Sequence, residues 1–115
     1  AEGLLKAFGE IAAAHPDSPF ARLFLGISLE KRGDLDAATA EYRKANDLDP
    51  SLQVVRICLS RTLAAQARAK RLHEDRDGAL ALFQEAAAFN PENPEARSGM
   101  LELAPAPGAG TAAPR

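Results

Sequence analysis

Residues 19–50 read PFARLFLGISLEKRGDLDAATAEYRKANDLDP, and their order decides the fold. Ser18-Pro19 starts a helix: a side-chain oxygen caps the free N–H groups, and the fixed φ of proline suits the first turn. Apolar residues then recur at helical spacing on two stripes, Leu25 and Leu29 on one, Phe20, Leu23, Phe24 and Ile27 on the other. Arg22, Gly26 and Glu30 leave only a narrow polar face, so this helix should be contacted on most sides. Gly33 ends it, Asp34 caps a second helix, and Pro50 stops that helix by forcing Asp49 out of the helical region. Gly26 in mid-helix costs about 1 kcal/mol relative to Ala. That loss makes sense where a second helix comes close, with Ala38 and Ala45 as the small facing residues and Tyr42 between them.

The same landmarks recur along the chain. Phe8 precedes Pro16, Tyr42 precedes Pro50 and Phe83 precedes Pro91, each by the same spacing, and Pro16 to Pro50 is one full period of 34 residues. Residues 1–14 are therefore the second helix of a unit whose first helix is absent from the sequence, with Leu4, Leu5, Phe8 and Ile11 on one stripe. From Pro50 to Pro91 the interval is seven residues longer. Seven residues are two helical turns and rotate the helix face by only about 20°. The insertion is thus expected to lengthen the unit's first helix into one unbroken run from about Leu52 to Leu72, the extension lying near Gln66 to His73. Ser51 is its expected cap, and Leu52, Val55, Leu59 and Leu63 form its core stripe; Val54, Ile57, Cys58, Arg61 and Arg68 form a second. Asn93-Pro94 starts a last short helix to Leu103, with Met100, Leu101 and Leu103 available to cover the end. Residues 104–115, rich in Ala, Pro and Gly, have nothing to bury and are expected to be disordered or polyproline-like.

The order Leu25-Gly26, Ala38, Tyr42, Ala45 and Pro50 on a 34-residue period resembles the tetratricopeptide repeat family. Arg22 and Leu29 depart from it, standing where the pattern prefers Trp and Tyr. The resemblance implies an all-α fold over residues 1–103. It would be a right-handed superhelical stack of antiparallel helix pairs, about two and a half repeats plus a short C-terminal capping helix. It also implies that the first helices line a concave surface that binds protein or peptide. On this chain that groove maps to Phe20, Leu23, Phe24, Ile27, Val54, Ile57 and Cys58, with Arg61 and Arg68 continuing the stripe. Family members that clamp a chain-terminal carboxylate line the surface with Lys, Arg and Asn. The mainly apolar set here argues for an amphipathic helix or an apolar segment instead. The alternative is a self-association module working through that surface or through the open N-terminal end. Because Leu4, Leu5, Phe8 and Ile11 lack the helix that would precede them, either an upstream segment or a second copy is expected to dock there.

Composition bounds the remaining classes. A chain of 115 residues is one domain, and 46% apolar with 5% aromatic residues suits an alanine-filled helical core. A net charge of −2 gives no reason to expect nucleic acid. Arg56, Arg61, Arg68, Lys70 and Arg71 make the long helix basic, but it holds no aromatic residue and acidic segments flank it. Neither His15 nor His73 has a ligand partner at metal spacing, and Glu74 to Asp77 reads as a solvated helix entrance. Cys58, on a helical stripe, reads as an inert buried thiol. Neither an enzyme nor a cofactor is expected. No apolar run approaches the length of a membrane span. Ala1-Glu2-Gly3 reads as a processing boundary beyond which a signal peptide could have been removed. A single cysteine leaves the compartment open, with the cytoplasm favoured over the periplasm.

Overall fold

The computed structural model describes residues 2–104, so the tail beyond Ala104 lies outside the described residues. Six helices follow one another, with no strand among the described residues: α1 (Glu2–Ala14), α2 (Pro19–Arg32), α3 (Leu35–Leu48), α4 (Gln53–Leu72), α5 (Arg76–Phe89) and α6 (Pro94–Leu103). Each packs chiefly on its neighbours in sequence, and α4 also touches α6. The body is long in one direction, 58 × 29 × 20 Å.

Local chemistry sets the helix ends. Ser18 accepts from the Ala21 N–H, Asp34 from Ala37, Asp75 from Gly78, and Asn93 from Glu95 and Ala96. Gly33 closes α2 in the left-handed region at φ 92°, with Gly33 N–H donating to Glu30 and Asp34 N–H to Leu29. The end of α4 repeats that loop with a different residue. Glu74 sits at φ 60°, Glu74 N–H donates to Arg71 and Asp75 N–H to Lys70. Ser51 is not the cap of α4. Its hydroxyl donates to Asp49 Oδ1 at 2.6 Å, and the capping position falls on Leu52, which has no oxygen to offer.

Repetition is visible in the backbone bonds. The turns after α1, α3 and α5 make the same bond three times, Ser18 N–H to His15, Leu52 N–H to Asp49 and Asn93 N–H to Asn90. The long interval between the second and third turns is taken up inside α4, which runs unbroken for 20 residues against 14 in α2.

Within each pair the helices meet through small residues. A Cβ on Gly26 would stand 2.5 Å from the Tyr42 ring, so only glycine permits that approach. In α4 the equivalent residue is Ser60, fully buried, with its hydroxyl donating to the Ala86 carbonyl at 2.7 Å. Between pairs, the aromatic ring of one pair bears on the next helix. Phe8 stacks on Phe24 at 5.6 Å, and the Phe83 ring fills the space where a Cβ on Gly99 would be. The core is one cluster running from Leu23 through Tyr42, Val55, Leu59, Leu63 and Phe83 to Leu103.

The presumed polar face of α2 is in fact its face toward α3. Arg22 pairs with Glu41 at 3.0 Å, Gly26 meets the Tyr42 ring, and Glu30 accepts from the Tyr42 hydroxyl at 2.7 Å. The exposed side of the helix is instead the one that carries Phe20 and Phe24.

Candidate functional site

The stripe expected to form a groove divides in two. Phe20, Phe24, Val54 and Ile57 keep between 39% and 52% of their surface in solvent, and Ile27 is half-buried. Leu23 and Cys58 are turned inward, at 4% and 5%, and belong to the core. They lie beneath the surface row and cannot line a groove. The Cys58 thiol is free and buried.

The two helices α2 and α4 are joined by the Arg61–Glu30 pair. Ile27, Glu30, Lys31 and Arg61 line a small cleft there. Phe20 and Phe24 share the α2 face with Ile27, and Val54 and Ile57 share the α4 face with Arg61, by helical periodicity. Both aromatic residues of this face come from α2, and Phe24 is held from behind by its stack on Phe8.

The arginines of this face are already paired. Arg61 makes a fork to Glu30, Nε to Oε2 at 2.6 Å and Nη2 to Oε1 at 2.8 Å. Burial opposes ionisation of Glu30, but the Arg61 and Tyr42 hydrogen bonds outweigh it and hold the carboxyl below its usual range. The same carboxylate holds the Arg61 guanidinium protonated more firmly than usual. Arg68 pairs with Glu95, and Arg71 with Glu102 at 3.0 Å, both reaching from the extension of α4 to α6. Arg71 also lies over the Phe83 ring, 5.8 Å from its centre. Arg56 donates to the Pro50 carbonyl at 2.5 Å and Lys70 stands 3.9 Å from Asp75. The basic character of the long helix is therefore largely used within the fold, as is its Gln66. That side chain accepts from Thr39 and donates to Asp36, fastening α4 to α3.

The N-terminal stripe also divides. Phe8 and Leu5 are half-buried, whereas Leu4 and Ile11 remain exposed. At the other end, Leu103 is buried and Met100 half-buried, but Leu101 does not cover the stack; it faces solvent. Sequence reasoning missed the result: a mostly apolar groove between α5 and α6 lined by Leu80, Gln84, Arg97, Met100, Leu101 and Ala104. Its signal was Met100-Leu101 in adjacent positions, which a helix cannot bury on a single neighbour.

No cluster of three or more His, Cys, Asp or Glu among the described residues could hold a metal ion. Among the described residues no helix is long and apolar enough to cross a membrane. Set against known proteins, the chain matches no protein-family model and no curated protein.

Proposed function

We propose that this chain is a tetratricopeptide-like, non-catalytic adaptor that docks an amphipathic helix on the face formed by α2 and α4. One observation carries the reading. Four large apolar side chains, Phe20, Phe24, Val54 and Ile57, stand half-exposed on that face. A partner helix with apolar residues at i, i+3, i+4 and i+7 would cover such a row. Arg61 and Arg68, already paired to Glu30 and Glu95, favour an apolar over a carboxylate ligand, because recruiting them means giving up existing partners.

The test uses a fluorescent peptide with leucines at i, i+3, i+4 and i+7 and a scrambled peptide of the same composition. Anisotropy should report binding of the first only. Val54→Glu and Ile57→Glu should each weaken it at least tenfold, equivalent to about 1.4 kcal/mol, with unchanged melting temperatures. Equal binding of the scrambled peptide, or undiminished binding by both variants, would refute the reading. A second reading, association between copies, is favoured by the exposed Leu4, Ile11 and Leu101 at the two ends.

A further inference from the structure

The first and last described helices are complementary halves of one helix pair. Leu4, Phe8 and Ile11 of α1 stand one 34-residue period before Ala38, Tyr42 and Ala45, the α3 residues that face α2. In α6, Met100 and Leu101 stand where Leu25 and Gly26 stand in α2, and Gly26 faces Tyr42 of α3. Thus α1 is a second helix of a pair and α6 a first helix. Among the described residues nothing packs on either from the open side.

Both open sides carry apolar side chains in the positions that the internal pairs bury. Leu4 is 60% exposed and Ile11 45%, although Ala38 and Ala45 are wholly buried. Leu101 is 83% exposed and flanks the α5–α6 groove, although Gly26 is buried. The charges are also complementary. Arg97 occupies the α6 position equivalent to Arg22, which pairs with Glu41 across the α2–α3 pair. Glu10 lies one turn beyond the α1 position equivalent to Glu41. Both are exposed, and neither has an ion-pair partner among the described residues.

We propose that two copies of the chain join head to tail, α1 of one lying against the open side of α6 of the other, so that together they complete a helix pair. Leu4 and Ile11 enter the groove beside Met100 and Leu101, and Glu10 meets Arg97. Because these apolar residues are larger than Ala38, Ala45 and Gly26, the joint is wider than the internal pairs. Such a contact uses two different surfaces and leaves one of each free. It therefore propagates beyond the dimer, into a ring or an open filament according to the rotation between neighbouring copies. The α2–α4 face takes no part, so this inference stands or falls separately from the peptide-docking reading.

Sedimentation velocity of the full 115-residue chain over rising concentration tests it. The average mass should grow without a plateau at the dimer. Leu4→Glu and Leu101→Glu should each be monomeric alone, with melting temperatures kept because both side chains are exposed. Mixed in equal amounts, they should form a dimer and nothing larger, since each retains one intact and complementary end. Glu10→Arg and Arg97→Glu should each weaken association about tenfold or more, and the double variant should regain it. A wild-type chain that stays monomeric up to about 1 mM overturns the proposal. So does a single variant that still assembles, or a mixture that gives no dimer.

Discussion

The Tyr42 hydroxyl donates a 2.7 Å hydrogen bond to Oε1 of Glu30, and the same carboxylate accepts the two-pronged fork from Arg61. Three residues on α2, α3 and α4 thus share one carboxylate at the edge of the exposed row. Burial, then the neighbouring Glu30, raises the Tyr42 pKa above its ordinary 10.0, so the fold favours the protonated hydroxyl.

That arrangement fixes a pH dependence. Glu30 has a folded-state pKa below its ordinary 4.5, so the folded state holds it charged while the unfolded chain takes up a proton first. Its stabilising contribution is complete above about pH 4.5 and is lost as the pH falls through the folded value. Glu30→Gln should therefore lower stability by about 1 kcal/mol at neutral pH, with the gap to wild type closing below pH 4.5. Denaturant melts across the acid range check this; a gap independent of pH would detach the effect from ionisation. Tyr42 is the only tyrosine, so tyrosinate absorbance on alkaline titration should appear together with unfolding, above pH 10.0.

Glu74 occupies the left-handed position that Gly33 fills in the shorter unit. A side chain there costs about 1 kcal/mol, a strain that glycine does not feel. Glu74→Gly should raise the melting temperature by a few degrees, and Gly33→Ala should lower it by a similar amount. No neighbour lies near a Cβ at Gly33, so backbone strain alone sets the sign there. Calorimetry of the two variants is sufficient; a destabilised Glu74→Gly would show that the carboxylate compensates for its conformation.

What could be read from the sequence was what short-range chemistry controls. Gly33, Asp34, Pro50 and Asn93 act within four residues of themselves, so the helix ends follow, and the length of α4 follows from the absence of Gly or Pro between Leu52 and Leu72. The partners of side chains were not legible. Glu30 finds Tyr42 and Arg61, 12 and 31 positions away, and only the packing brings them together. The same holds for the site. The stripe from Phe20 to Arg68 was correctly periodic, but periodicity does not say how far a neighbouring helix overlaps it. Leu23 and Cys58 fell under that overlap and Phe20 and Ile57 did not. Ser51 failed as a cap because α4 starts one residue later than expected, which places the capping position on Leu52.

Ser60 replaces the glycine of the first pair and joins two elements through one hydroxyl. It donates to the Ala86 carbonyl and accepts from Asn93 Nδ2 at 2.9 Å, while Asn93 also caps α6. Ser60→Ala should cost about 1–2 kcal/mol by leaving buried groups unpaired. Asn93→Ala should cost about 1 kcal/mol through the lost cap and a further amount through the lost bond to Ser60. Because the two share a bond, the double variant should cost less than the sum of the two single changes. A double-mutant cycle by urea melts reads that coupling, and strict additivity would show that the bond contributes nothing.

The stack of Phe8 on Phe24 is the main apolar clasp between α1 and the rest of the molecule, for Ala12 is the only residue of α1 that is fully buried. Elements with few buried contacts open at lower free energy than the global unfolding reaction. Amide exchange in α1 should accordingly be faster than in α4, whose eight buried residues include Val55, Leu59 and Leu63. Removing the Phe24 ring leaves α1 without its stacking partner but takes little from the core beneath, since Phe24 is already half-exposed. Phe24→Ala should therefore quicken exchange throughout α1 several-fold while leaving α4 and α5 nearly as protected as before. Phe8→Ala should have the same effect, because either substitution removes the same ring pair. If exchange in α4 and α5 accelerated equally, α1 would have to be part of the cooperative core, held by contacts other than this pair of rings.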